Sequence, residues 1–146
     1  MSDNKTTSLN LSLKSILVPS KEVQVEYPGM PGFMIDLTYL SRETLVDLRK
    51  KATTTKFSRA REVSESFDDE LFLKMFVQKT VKGWKGFKLQ YLAQLAPVEL
   101  GENDLSAELE YTEENALFLM KNSNDFDSYV NSVITDLGNF QKNKSK

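Results

Sequence analysis

Hydrophobic positions change their period along this chain, and each change marks an element. Leu9, Leu11 and Leu13 alternate with polar residues and run into Ile16-Leu17-Val18, the pattern of a half-buried strand, here closed by Pro19-Ser20. Lys21 to Tyr27 alternates again, with Val23 and Val25 opposite Glu22, Gln24 and Glu26. Pro28-Gly29-Met30-Pro31-Gly32 continues neither strand nor helix, because each Pro lacks an N–H and each Gly favours turns. Phe33 to Leu40 resumes the extended pattern with Phe33, Ile35, Leu37 and Tyr39 on one face. Three strands in such close succession predict a small antiparallel sheet.

The period then becomes helical. Ser41 is a good N-cap, and Leu45, Val46, Leu48 and Ala52 give a short helix ending near Thr53-Thr54-Thr55. Lys56 to Ser66 reads as a basic loop or weak edge strand. Asp68 and Asp69 open the next helix, where carboxylates meet the positive end of the peptide dipoles. Its apolar face runs through Leu71, Phe72, Met75 and Phe76 to Val81 or Trp84, predicting a core helix over residues 69–82 with Trp84 buried at its end. Phe87 to Leu95 forms a further short helix before Pro97, and Gly101 to Glu110 is an acidic linker. Thr112 caps a helix whose first turn carries Glu113 and Glu114 and whose inner face holds Ala116, Leu117 and Met120. Asn122-Ser123-Asn124 breaks it. The last helix presents one stripe through Phe126, Tyr129, Val130, Val133, Ile134, Leu137 and Phe140. The fold class is therefore α+β, an N-terminal antiparallel sheet followed by four or five helices. Residues 1–8 and 141–146 read as flexible ends of a single domain over 9–140.

Composition narrows the chemistry. The 146 residues contain neither Cys nor His, which removes disulfides, thiolate nucleophiles, Cys-based metal sites, and the commonest general base and metal ligand. The acids Asp68, Asp69, Glu70, Glu113 and Glu114 lie where helix capping accounts for them. Gly83-Trp84-Lys85-Gly86 lacks the length and the Lys-Ser/Thr ending of a phosphate-binding loop. No catalytic residue, metal or cofactor is expected. Met1 to Asn10 is polar, with no apolar core of signal-peptide length, and no apolar run approaches a membrane span. A cytoplasmic location follows as the expectation.

The net charge of −2 conceals a strong asymmetry. Residues 42–62 hold seven Lys or Arg against three acids, net +4, and 71–88 hold five Lys and no acid, net +5. Residues 98–140 hold ten acids against Lys121 alone, net −9. Basic residues near Phe57, Trp84 and Phe87 resemble a nucleic-acid surface, yet the acidic part would repel phosphate and no binding motif is present. Pairing of the basic face, including Lys79, Lys82 and Lys85, with the acidic end of another copy is the simpler account and predicts self-association. Met30, at a turn tip between Pro-Gly pairs, is a candidate apolar contact. The terminal stripe reads first as core, with Tyr129, Val133 and Phe140 as candidate partner-facing positions.

Phe67-Asp68-Asp69-Glu70, the segment Val81 to Phe87, the helix start Tyr111-Thr112-Glu113-Glu114-Asn115-Ala116-Leu117, and Phe126 onward to Asp136-Leu137-Gly138-Asn139-Phe140 together resemble tail assembly chaperones of long-tailed bacteriophages. The resemblance covers about residues 25–140 in order, and its weight lies in that order and spacing. It departs at Gly138, where such proteins often carry an acid, a helix-weakening change that bears on the length of the final helix. The resemblance implies a binding protein rather than an enzyme. Such a chaperone coats apolar stretches of the tape measure protein, helps recruit tail-tube protein, acts in the host cytoplasm and is missing from the finished virion. A structural virion protein of the tail or head–tail junction is the alternative.

Overall fold

The computed structural model describes residues 8–18, 20–136 and 138. It is an α+β fold whose strands lie mainly in the N-terminal half. Strands β1 (Glu22–Glu26), β2 (Met34–Thr38) and β5 (Val81–Lys85) form an antiparallel sheet in the order β1-β2-β5. Strands β3 (Thr53–Phe57) and β4 (Val63–Phe67) form a separate two-stranded ribbon. The helices are α1 (Leu13–Ile16), α2 (Arg42–Lys51), α3 (Asp69–Thr80), α4 (Leu89–Leu95), α5 (Glu113–Asn122) and α6 (Asn124–Ile134). No helix among the described residues is long and apolar enough to cross a membrane.

The sheet buries one face. Val23 and Val25 pair with Leu37 and Ile35, and Ile35 pairs onward with Trp84 and Leu37 with Val81. Phe33, Ile35, Leu37 and Val81 are fully enclosed. On the other face Gln24 donates to Asp36 at 2.9 Å. Between the Asp36–Gly83 and Leu37–Val81 pairs the register shifts, leaving Lys82 as an extra residue on β5. In a regular strand Val81 and Trp84 would point to opposite faces. The bulge turns both toward the core and sends Lys82 and Lys85 outward.

Helices α3 and α6 pack on β2, and α5 joins both of them. Their starts are set as the sequence predicts: Ser41 accepts from Thr44 N–H, Asp68 from Leu71 N–H and Thr112 from Asn115 N–H. Ser123 ends α5 and its hydroxyl caps α6, accepting from Phe126 N–H. At the centre Phe33 stacks on Phe87 with ring centroids 4.2 Å apart. The Trp84 ring stands edge-on to Phe87 at 5.1 Å and to Tyr111 at 5.2 Å. Its Nε1–H donates to the Leu109 carbonyl at 2.9 Å, and Tyr111 donates to the Val81 carbonyl at 2.8 Å.

Residues 56–66, read as a loop or weak edge strand, hold the end of β3, a turn with Arg61 at φ +65°, and most of β4. Three expectations change. Residues 9–18 form no strand; they hold the single turn α1, with every side chain from Leu9 to Val18 exposed. Helix α3 stops at Thr80, and Trp84 is a strand residue. Helix α6 ends at Ile134, short of the expected stripe, and Leu137 and Phe140 lie outside the described residues.

Gly86 carries φ +71°, and a Cβ there would collide with the Gly32 carbonyl. Gly29 has φ +79° with nothing within 4 Å. Gly86→Ala should therefore destabilise by more than Gly29→Ala, whose cost is the left-handed strain alone, about 1–2 kcal/mol. Urea unfolding of the two variants checks the order. Trp84→Ala removes the ring on which Phe33, Phe87, Tyr111 and Phe126 converge and should cost about 3–5 kcal/mol, and native fluorescence should be blue-shifted relative to the unfolded chain.

Candidate functional site

The sequence-predicted contact residues separate into buried and exposed groups. Met30 is 5% exposed and belongs to the core, which corrects its reading as an exposed turn tip. Its loop folds back on itself, with Met30 N–H donating to the Tyr27 carbonyl and Phe33 N–H to the Met30 carbonyl, both at 3.1 Å. Gly32 N–H donates to Glu26 Oε2 at 2.9 Å and fixes the exit of the loop. Turned inward in this way, the Met fills space under the sheet. Val133 is 6% exposed and is also a core residue, so it offers no partner-facing surface. Phe140 lies outside the described residues.

Tyr129 is half-buried. Its ring lies 4.6 Å from that of Tyr27, tilted by 55°, and Tyr27 stacks in turn on Phe126 and Phe33. Tyr129 thus forms the outer layer of the aromatic core. Lys79, Lys82 and Lys85 are exposed. Lys79 sits in the last turn of α3 and the other two on β5, where Lys82 Nζ donates to the Gln78 carbonyl at 2.8 Å. They border the fold on the side where α3 passes into the sheet and form no ion pair within the described residues.

Two apolar surfaces were not legible in the sequence as surfaces. The first is the segment before the sheet, where Leu9, Leu11, Leu13, Ile16, Leu17 and Val18 are each more than half exposed. Leu13, Ile16 and Leu17 have helical spacing around α1, so its apolar side is left bare. The second is a groove of about 470 Å³ between α3 and α5. Val77, Leu117 and Phe118 line it, with Lys74 and Glu113 at its edges. Gln78 donates to Glu113 Oε1 across one end at 3.3 Å. Phe118 is 51% exposed, opposite the buried Ala116, Leu119 and Met120. Its signal was the unbroken apolar run Ala116 to Met120, which wraps too far around a helix to face one core.

Among the described residues no three Asp or Glu side chains gather as metal ligands do. The groove has an apolar floor of Val77, Leu117 and Phe118 and a polar lining of Lys74, Gln78, Glu113 and Glu114, which suits the two sides of an amphipathic helix.

Burial holds the phenols of Tyr27, Tyr111 and Tyr129 above their ordinary value, with Asp125 and Tyr129 adding to the effect at Tyr27. A raised folded-state value means this stability is fully present below about pH 10 and is lost as pH rises through the folded values. The urea midpoint should fall above pH 10, and less steeply in a Tyr27→Phe/Tyr129→Phe chain than in the parent.

Comparison of the chain with protein-family models, with curated proteins and with solved structures finds no match.

Proposed function

We propose that this chain is a non-enzymatic binding protein, a bacteriophage tail assembly chaperone that holds apolar helical stretches of the tape measure protein and promotes tail-tube assembly around it. The observation that carries the reading is the unpartnered apolar segment 9–18. Six large aliphatic side chains there remain in water although the rest of the chain has a well-filled core. Contiguous exposed apolar surface of this kind marks an interaction site. The groove between α3 and α5 supplies a second face of the same chemistry.

The ordered resemblance over about residues 25–140 points to the same class, and the absence of Cys and His agrees with a binding role. A shallow, aliphatic surface favours amphipathic helices over one fixed sequence, because contact depends on apolar spacing and not on hydrogen-bond pattern. This suits a long partner with many similar segments. The site of action would be the host cytoplasm.

Co-expression should keep the tape measure protein soluble where that partner alone precipitates. Leu13→Glu/Leu17→Glu changes only exposed positions, so circular dichroism should be unchanged while the solubilising effect is lost. Equal insolubility with and without the chain sinks the proposal. Mass spectrometry of purified virions should find the chain absent; its presence there assigns it to the alternative, a structural protein of the tail or head–tail junction.

A further inference from the structure

The β3–β4 ribbon is only weakly supported by the rest of the fold. Apart from Thr53, every residue of its two strands is exposed. It is attached at its base, where Phe67 meets Phe72 with ring centroids 5.5 Å apart and Asp68 N–H donates to the Ala52 carbonyl at 2.8 Å. Farther out, Phe57 pairs across the ribbon with Val63, and the two are 73% and 60% exposed. A two-stranded ribbon supported only near its base, where α2 lies beside β3, is marginally stable in water. Its turn is nevertheless well defined: Ser58 Oγ accepts from Ala60 and Glu62 N–H at 3.2 and 3.1 Å, and Arg61 N–H donates to the Ser58 carbonyl.

The ribbon and the end of α2 beside it form a basic pole: Arg49, Lys50 and Lys51 close α2, and Lys56, Arg59 and Arg61 lie on the ribbon, which also carries Glu62 and Glu65. The opposite pole is the loop over residues 98–110, with Glu99, Glu102, Asp104, Glu108 and Glu110 and no base. This loop is held in place, since Leu89 N–H donates to Ala107, Gln90 N–H to Leu105 and Leu109 N–H to Phe87. It too exposes apolar side chains, Val98 at 39% and Leu105 at 50%. The two poles do not neutralise each other within one chain. The ion pairs among the described residues are Lys51–Asp47 and Lys121–Glu70, and neither joins ribbon to loop.

We infer that the β3–β4 ribbon of one copy docks on the acidic 98–110 loop of a second copy, Phe57 and Val63 covering Val98 and Leu105 while Arg59 and Arg61 meet Glu99 and Glu102. The charge complementarity and the matching pairs of bare apolar residues select this occupant. Each copy carries both surfaces, so a two-fold arrangement makes the contact twice and closes. The contact does not use Lys79, Lys82 or Lys85, and so assigns the self-association expected from sequence to other residues. It does not depend on the chaperone reading, which concerns other surfaces.

Sedimentation velocity at about 100 µM protein tests it, in about 50 mM and then about 500 mM NaCl, because exposed charge pairs are screened as salt rises. The parent chain should form dimers at low salt and dissociate at high salt. Arg59→Glu/Arg61→Glu and Glu99→Lys/Glu102→Lys should each be monomeric with unchanged circular dichroism. An equal mixture of the two should dimerise again, because each reversed surface then meets its complement. Phe57→Ser should weaken the parent dimer without altering any charge. A parent chain that is monomeric throughout overturns the inference, as does either charge variant dimerising like the parent or a mixture that stays monomeric. A monomeric parent whose ribbon instead binds a single-stranded oligonucleotide overturns it in favour of a phosphate partner.

Discussion

The position of Trp84 depends on one extra residue in a strand. With Lys82 bulged out of β5, Val81 and Trp84 both turn inward although they stand three positions apart. The indole then meets Phe87 and Tyr111 edge-on and ties the sheet to the 98–110 loop through the Leu109 carbonyl. Tyr111 returns a hydrogen bond to Val81, beside the bulge. Sheet, loop and the start of α5 are thereby fixed around a single ring, and the Phe33–Phe87 stack holds the β1–β2 loop to the same centre.

This arrangement has a consequence for the surface. The core is complete without the first segment or the ribbon: α3, α5 and α6 close over the sheet, with Leu48 of α2 and Tyr91 and Leu95 of α4. Apolar residues outside it therefore have no intramolecular place to go. Leu9 to Val18, Phe57, Val63 and Phe118 remain in water. Burial of each would be favourable by about 25 cal/mol per Å² of apolar area, so contact with another chain is the available route. The functional proposal and the docking of ribbon on loop both rest on this division, and they use different surfaces.

The candidate contact residues were legible in sequence only in part. Lys79, Lys82 and Lys85 are exposed as their charge requires, since an unpaired ammonium is costly to bury. Met30 and Val133 went the other way. Met30 was judged by its Pro-Gly neighbours, which describe the local turn but not the direction in which the loop folds back. Val133 lies on a stripe whose period reveals a buried face without revealing whether core or partner buries it. The apolar surfaces at 9–18 and Phe118 were visible as residues and not as surfaces, because exposure is a property of what packs nearby.

The sequence by itself determined the elements whose signals are local. Side-chain caps at Ser41, Asp68 and Thr112 set helix starts because a hydroxyl or carboxylate satisfies an N–H only a few residues away. Alternation fixed β1 and β2, and the Pro-Gly segment fixed the loop between them. Tertiary structure decided the rest. Alternation at Leu9, Leu11 and Leu13 had no partner strand and so made no strand, since a strand is stabilised by its neighbours across the ladder. The spacing of Val81 and Trp84 matches a helix face in one dimension, and only pairing with Ile35 and Leu37 shows it to be a bulged strand. Which apolar residues became core was decided by what packs against them, which encloses Met30 and leaves Phe118 in water.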